Sequence, residues 1–298
     1  MTSLRILVLP QLYLNVNNYF KMALHPLNSI SIVELAIYTP ALLIAILLST
    51  RHGFRKNAGW LYLIIFTTTR IVGSSLNLAT IASPSNPNLI VASQVMYSIG
   101  VSALVICLSN LLGRVLLGIR QQGTQTFISP RHQRLAQVVM LIGLILSIVG
   151  QSMMSGEIGD AVSGTTGQQA EVVTVPNESQ AGLGLTMAGL GFVVLGTLVT
   201  MVEIGAVEPG EKRLLFGVGL ASPFMIVRIV FSGLATFGTD PRFKSYGGVG
   251  SFVWYFLGMG VIMEMMVVLI LEGAGLTLNR QPSAVPVGRW RERKFEVY

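Results

Sequence analysis

The sequence predicts an all-α integral membrane protein, a polytopic bundle of seven transmembrane helices. Its 298 residues are 52% hydrophobic and only 11% charged, whereas soluble domains carry about 25% charged residues. Seven apolar runs reach the roughly 20 residues that a helix needs to cross a bilayer. Because lipid offers no partners to backbone N–H and C=O groups, helices are the expected form of these runs.

The predicted spans fill most of the chain. In order, they cover residues 29–50, 59–82, 90–119, 135–154, 181–206, 214–237 and 250–276. The second and fifth runs have the weakest span signal, because they are rich in Thr or Gly. Residues 1–28 are then an extension before the bundle, residues 29–276 the transmembrane domain, and residues 277–298 a basic tail suited to anionic lipid headgroups.

The glycines of the fifth span allow two interpretations. They are Gly182, Gly184, Gly189, Gly191 and Gly196. A phosphate-binding loop would need a following Lys-Ser or Lys-Thr and a preceding strand, and neither is present. Small residues also let helix backbones approach each other closely in a membrane. The pattern favours helix packing.

Basic residues give the bundle a direction. Thirteen of the 20 Lys and Arg residues lie on one side of the predicted membrane. They are Arg51, Arg55, Lys56, Arg120, Arg131, Arg134, Lys212, Arg213, Arg280, Arg289, Arg291, Arg293 and Lys294. The other side has Arg5, Lys21, Arg242 and Lys244. The basic side should be cytosolic, which places the N-terminus in the lumen and the C-terminus in the cytosol. Orientation therefore explains the net charge of +7 without a nucleic-acid partner.

The connection over residues 155–180 agrees with this orientation. It contains Glu157, Asp160, Glu171 and Glu178 and no Lys or Arg. Its Asn177-Glu178-Ser179 sequence is a glycosylation sequon. Since this connection lies on the predicted lumenal side, Asn177 is a candidate glycosylation site.

Four charged residues lie in the predicted spans away from the cytosolic ends: Glu34, Arg70, Arg228 and Glu264. Each costs roughly 2.5–3.5 kcal/mol on insertion scales. Two positive and two negative charges at similar depth should pair. Depth alone predicts pairs of Arg70 with Glu264 and of Arg228 with Glu34. By contrast, Glu203, Glu272 and Arg114 lie at predicted cytosolic helix ends, where we expect them to reach water.

Polar residues accompany these charges on the lumenal half. Asn77 lies two turns after Arg70 on the same helix face. Gln94 and Tyr97 occupy the lumenal end of the third span. If these helices surround one cavity, it opens toward the lumen and has the Arg and Glu residues as its floor. Arg70, Arg228, Asn77, Gln94 and Tyr97 are therefore candidates for binding a lipophilic small molecule.

The acids invite a catalytic hypothesis. A carboxylic acid in a dry pocket can stay protonated near neutral pH and donate its proton. Glu264, in mid-membrane, is the first candidate for such an acid, and Glu34 is the second. The alternative is that two ion pairs only stabilise the bundle, because a buried pair is weak support for either role.

Several classes of protein are excluded. A retinal protein needs a lysine within a span for its Schiff base, and all five lysines lie outside the spans. Asp160 and Asp240 stand alone, whereas prenyl diphosphate chemistry with Mg²⁺ uses closely spaced aspartates. The single cysteine, Cys107, allows no intramolecular disulfide, and the three histidines are far apart. We expect neither a metal site nor an organic cofactor.

Short motifs carry a resemblance. Gly59-Trp60, Arg70-Ile71-Val72-Gly73 and Ser222-Pro223-Phe224 with Arg228 resemble a group of fungal seven-span membrane proteins, mostly of unassigned function, over residues 29–276. Fungal seven-span proteins also include membrane-bound terpene cyclases of meroterpenoid pathways. These cyclise epoxidised or unmodified prenyl chains with membrane-embedded carboxylates as proton donors. The resemblance implies a cyclase in the endoplasmic reticulum or another endomembrane, for which Glu264 and Glu34 are of the right chemical type.

Two functional hypotheses follow. The first is a metal-independent cyclase of a prenylated secondary-metabolite intermediate, with Glu264 as proton donor and Arg70 and Arg228 orienting the acid or the substrate. The second is a seven-span receptor or a lipid or toxin exporter without catalytic activity.

Overall fold

In a computed structural model of the protein, the described residues are 26–52, 58–83, 86–121, 128–163, 175–206, 209–238, 240–243 and 251–278. Among these described residues, all regular secondary structure is helical and no strand occurs. Seven of the helical runs are long and apolar enough to cross a membrane, which confirms the predicted fold class. Most of the predicted extension and the basic tail lie outside the described residues.

The helices match the predicted spans to within a few residues at most ends. They are α1 (Pro26–His52), α2 (Ala58–Ala79), α3 (Pro87–Gln121), α4 (Pro130–Ser163), α5 (Asn177–Val202) and α6 (Pro209–Phe237), followed by a seventh span of three parts: α7 (Ser251–Tyr255), a π-helix (Phe256–Ile262) and α8 (Met263–Thr277). Short 3₁₀ turns follow α5 (Ile204–Ala206) and precede α7 (Pro241–Phe243). Four helices begin at a proline, a residue that suits the first helical position because its missing N–H would have no helical partner there.

The predicted connection over residues 155–180 is too long. Helix α4 continues to Ser163, and α5 already begins at Asn177. No proline interrupts the chain between Pro130 and Pro176, so nothing in the backbone ends α4 where its apolar run ends. The hydrophobic pattern marks the apolar run, whereas the helix extends past it.

Helix α3 is the centre of the bundle. It packs against α2, α4, α5 and α6, while α1 packs against α2 and α8, and α6 also packs against α8. Residues 101–109 of α3 are all buried, whereas the other helices keep apolar side chains such as Leu43, Leu195 and Leu269 on the outer surface. An apolar outer surface of this kind is what a bilayer requires of a membrane protein.

Helices α4 and α5 meet through small residues. A Cβ atom on Gly182 would lie 2.6 Å from the backbone nitrogen of Ser147 and 2.7 Å from the carbonyl oxygen of Gly143. Gly143 in turn lies so close to α5 that its own Cβ would be 3.0 Å from the carbonyl oxygen of Gly182. The packing interpretation of these glycines is therefore confirmed for Gly182, whereas Gly184 and Gly191 have open space around them.

The predicted cytosolic helix ends are less exposed to water than expected. Arg114 of α3 donates from Nε and Nη2 to Oε1 of Glu211 in α6, at 3.0 and 2.9 Å, and both side chains are 6% exposed. Glu272 of α8 is only 3% exposed. The expectation that Arg114 and Glu272 reach water was wrong. Both side chains point toward neighbouring helices. The position of a residue in the sequence predicts its depth in the membrane, but not the direction in which its side chain points.

Candidate functional site

A three-residue ion cluster, which we call the central triad, joins three helices. It consists of Arg70 of α2, Arg228 of α6 and Glu264 of α8. Oε1 of Glu264 accepts a hydrogen bond from Nη2 of Arg70 and another, at 2.5 Å, from Nε of Arg228. Arg70 and Glu264 are each 1% exposed. The predicted pair of Arg70 with Glu264 is thus confirmed.

The predicted pair of Arg228 with Glu34 was wrong. Arg228 lies on α6, which packs against α8, and Glu34 lies on α1, which packs against α2 and α8. Glu264, on α8, is therefore the acid that Arg228 reaches. Glu34 and Glu264 were predicted at similar depths in the membrane. The direction in which each side chain points determines which of them pairs with Arg228.

Aromatic rings and a glycine complete the surroundings of the two guanidinium groups. The Cζ atom of Arg70 lies 4.6 Å from the ring centre of Tyr97 and 5.3 Å from that of Phe66. Gly100 of α3 leaves room for this group, because a Cβ atom there would lie 3.3 Å from Nε of Arg70. Ring faces attract cations, and the attraction grows when the cation is desolvated.

The guanidinium of Arg228 has partners on its own helix. Its Nη1 donates to Oγ of Ser232 at 2.6 Å, and its Cζ lies 5.7 Å from the ring centre of Phe231. Phe256, the first residue of the π-helix, contacts the rings of both Tyr97 and Phe231, at centre distances of 5.8 and 6.3 Å. Phe256 thus links the aromatic partners of the two arginines.

Glu34 has a different environment from Glu264. Its Oε2 accepts hydrogen bonds from Oγ of Ser74 and from the hydroxyl of Tyr97, both at 2.6 Å. Its Oε1 is buried and has no hydrogen-bond partner among the described residues, and the side chain is 0% exposed. Both of its partners are neutral hydroxyls.

The remaining predicted binding residues divide into two groups. Asn77 joins the cluster around Glu34, since its Nδ2 donates to Oγ of Ser31 at 2.8 Å. Tyr97 belongs to it as well, and both side chains are partly exposed. Gln94 is partly exposed and makes no hydrogen bond within the described part of the chain. The structure therefore places Glu34, Asn77 and Tyr97 in one cluster next to the central triad and leaves Gln94 at its margin.

Sequence reasoning missed the serines of this site. Ser74 follows Arg70 by four residues, and Ser232 follows Arg228 by four residues, which is the spacing that puts two side chains on the same helix face. Ser31 precedes Glu34 by three residues. A search for hydroxyl residues one turn from each buried charge would have found all three.

The π-helix ends two residues before Glu264. It runs over Phe256–Ile262 and includes Gly258 and Gly260. π-helical turns inside α-helices are rare and occur frequently at functional sites. Here the wider turn carries Phe256 at one end and leads directly to the acid of the central triad at the other.

A family model described as a domain of unknown function, DUF7702, matches residues 24–281 of the chain. The matched range includes all seven spans, the central triad and the cluster around Glu34. The chain belongs to this family. No curated protein and no solved structure matches the chain. The family and the seven apolar helices agree with the broader part of the resemblance seen in the sequence motifs, namely a seven-span membrane protein family of unassigned function.

The two acids differ in what they can do chemically. Glu264 is held as the carboxylate of two salt bridges, so it has no proton to give while both pairs are intact. Within the described residues, Glu34 accepts hydrogen bonds from two neutral hydroxyl groups, and its Oε1 has no hydrogen-bond partner. Of the two acids, Glu34 has the geometry of a proton donor, and Glu264 has that of a structural anion.

Proposed function

We propose that the protein is a membrane-embedded cyclase of a lipophilic prenylated molecule and that Glu34 is its proton donor. The observation that carries this proposal is the unpartnered, buried Oε1 of Glu34 beside an Oε2 that accepts two hydroxyl hydrogen bonds. This pattern fits a neutral carboxyl group, with Oε2 as its carbonyl oxygen and the acidic proton on Oε1. We therefore assign the role of proton donor to Glu34 rather than to Glu264, which was the first candidate from the sequence.

The proposed reaction starts on an epoxidised prenyl chain. The proton on Oε1 of Glu34 passes to the epoxide oxygen, one C–O bond of the epoxide breaks, and that oxygen becomes a hydroxyl group. A π-electron pair of a neighbouring alkene forms the new C–C bond to the electron-deficient carbon. The final cation then loses a proton to the Glu34 carboxylate, which forms an alkene and restores the acid. The atoms and electrons of these reaction steps therefore balance without a metal or a redox cofactor.

The neighbouring residues have supporting roles in this proposal. Ser74 and Tyr97 hold the carboxyl group of Glu34 in one orientation through its Oε2. Asn77 and Gln94, at the predicted lumenal end, bind the oxygenated part of the substrate. The rings of Phe256 and Tyr97 lie beside the site, and ring faces stabilise cations.

The proposal includes a location. The excess of basic residues on one side supports an N-terminus in the lumen and a C-terminus in the cytosol. Asn177 is exposed at the start of α5 and accessible to a lumenal glycosyltransferase. We place the protein in the endoplasmic reticulum or another endomembrane, where lipophilic intermediates dissolve in the bilayer.

Product analysis tests the proposal. Microsomes containing the full chain are incubated with an epoxidised farnesyl-phenol, and a cyclised isomer of equal mass is expected. The Glu34→Gln variant should lose turnover by about 100-fold or more, within the range for removal of a general acid. Glu203→Gln, which changes an acid outside the site, serves as the matched control.

Two results contradict the proposal. An unchanged substrate, in membranes that contain the folded protein, removes the cyclase for this substrate class. Full turnover in Glu34→Gln removes Glu34 as the acid and leaves the reaction itself in place.

A second function, that of a receptor or an exporter without catalysis, is favoured by a separate observation. The central triad connects α2, α6 and α8 through one oxygen atom of Glu264, and the π-helix lies immediately before it. A buried ion cluster at the meeting point of three helices can hold one arrangement of them until a ligand breaks it. This function predicts a ligand-dependent change in distance between spin labels on the ends of α6 and α8, with no product, and an unchanged distance would contradict it.

A further inference from the structure

A second candidate site lies on the outside of the bundle. A half-open groove of about 220 Å³ runs between α1 and α8. Its walls are almost entirely apolar, and the lining residues include Pro40, Ile44, Met265 and Leu269. Leu269 is 55% exposed on the outer, lipid-facing surface of the bundle. The groove is thus open to molecules dissolved in the bilayer.

One acid lines this apolar groove. Glu272 of α8 is 3% exposed, and its Oε1 is buried without a hydrogen-bond partner among the described residues. The salt bridges within the described part of the chain do not include it. A buried ionisable group without a partner is costly, and inside a membrane such a group is a candidate for function.

The far end of the groove lies at Tyr38 and Pro40. Tyr38 lines the groove, but its side chain is buried and its ring packs edge-on against Phe66 inside the bundle. Pro40 has no N–H to donate to the carbonyl of Ala36, one turn earlier, and both residues also line the groove. From the level of Met265 to that of Glu272 is about 10 Å along α8, at 1.5 Å per residue.

We propose that this groove binds a lipophilic amine, a molecule with one linear hydrocarbon chain and a protonated amino group that pairs with Glu272. Charge complementarity selects the head group, because an ammonium supplies both the charge and the N–H donors that a lone carboxylate lacks. The size of the groove selects the chain, because the volume is below the roughly 300–1,000 Å³ of sites for drug-sized molecules. The chain would lie along the apolar walls toward Tyr38, and the part of a longer chain that exceeds the roughly 10 Å of the groove would extend into the surrounding lipid or detergent.

This site is separate from the proposed catalytic cluster. Glu34, Ser74 and Tyr97 are not among its lining residues, and Glu272 lies two turns beyond Glu264 on α8. Binding in the groove therefore does not depend on the proposed cyclase activity, and the two can fail independently.

A binding experiment with matched probes tests the proposal. Full-length protein is purified in detergent, and native mass spectrometry measures the binding of hexadecylamine, hexadecanol and hexadecanoic acid, which share one chain length. We expect saturable binding of one hexadecylamine per chain. Hexadecanol should bind roughly 10- to 100-fold more weakly, because it lacks the charge-assisted hydrogen bond, and hexadecanoic acid should bind least.

Three variants separate the groove from nonspecific uptake. Glu272→Gln keeps the size of the side chain and removes its charge, so hexadecylamine affinity should fall to that of hexadecanol. Leu269→Trp fills the groove from its exposed side and should weaken all three probes. Glu203→Gln changes an acid that does not line the groove and should bind hexadecylamine as the unchanged protein does. The thermal transition of each variant, measured without a probe, checks that it is folded.

Other outcomes overturn the proposal. Equal binding of the amine and the alcohol, or an unchanged amine affinity in folded Glu272→Gln, would remove Glu272 as the anchor. Uptake of many probe molecules without saturation would mean that the groove holds only bulk lipid. A dimer that Leu269→Trp converts to monomer would mean that a second copy of the chain occupies the groove.

Discussion

Replacing Glu264 by Gln should destabilise the protein more than any other single isosteric change in its interior. Removing one partner of a buried ion pair costs about 3–5 kcal/mol, because the remaining charge stays buried and uncompensated. Here one carboxylate serves two cations. Arg70, at 1% exposed, has no other carboxylate bonded to it in the described residues, whereas Arg228 keeps its bond to Ser232. We therefore expect a loss near the upper end, about 5 kcal/mol.

Glu34→Gln is the matched control. It is the same isosteric change in an acid that is equally buried, but the partners of Glu34 are hydroxyl groups rather than cations. The amide oxygen of Gln can still accept from both hydroxyls, so the loss should be about 1 kcal/mol. The two variants therefore separate the roles: Glu264 should matter for stability, and Glu34 for turnover.

Unfolding of the purified variants in mixed micelles of increasing SDS content measures both losses on one scale. A third protein, with Arg70→Met, Arg228→Met and Glu264→Leu together, removes all three charges and should recover most of the loss, since replacing buried ion clusters by apolar residues is often neutral or stabilising. Equal stability of Glu264→Gln and Glu34→Gln would refute the reasoning. So would a triple variant that is less stable than Glu264→Gln alone.

Three further predictions concern other parts of the bundle. Gly182→Ala should cost about 1–3 kcal/mol of unfolding free energy in the same assay through overpacking against α4, whereas Gly184→Ala, with nothing within 4 Å of its new Cβ, should cost nothing. Arg114→Ala and Glu211→Ala should show a coupling energy of about 0.5–3 kcal/mol in a double-mutant cycle, and a value near zero would mean that the pair contributes nothing. Asn177→Gln should abolish an endoglycosidase-sensitive shift on gels of the protein from eukaryotic cells, and a shift that persists would place the glycan elsewhere.

The sequence predicted the spans because the bilayer imposes a simple rule on composition. A run of apolar residues is visible without knowledge of its neighbours, and all seven runs became helices. The rule reports where the apolar run ends rather than where the helix ends. The continuation of α4 to Ser163 was therefore not predicted. The packing of Gly182 could be predicted for a similar reason, because glycine repeated within an apolar run favours close helix packing, although the pattern did not distinguish Gly182 from Gly184, which has open space around it.

The candidate site was harder to predict, because contacts within a bundle depend on the facing of each helix as well as on depth. The depths of Arg228 and Glu34 were compatible, yet α8 supplies the partner of Arg228. The pair of Arg114 with Glu211 was not predicted for the same reason, because the direction in which each helix face points was not known from the sequence. The residues that could be found were those one helical turn from a known charge, such as Ser74 and Ser232, because that relation is fixed within a single helix.

The acids inside this bundle can be ordered by how completely their charge is compensated. Lipid offers no water to complete a hydrogen-bonding shell, so an acid with an incomplete shell is costly and is a candidate for function. Glu264 has two arginines, and Glu211 has Arg114; their arrangement is explained by the stability of the bundle. The salt bridges of the described residues include neither Glu34 nor Glu272, and each of these two acids has a buried oxygen without a hydrogen-bond partner there. These two acids, one on α1 and one on α8, are where the two proposals place a substrate and a ligand.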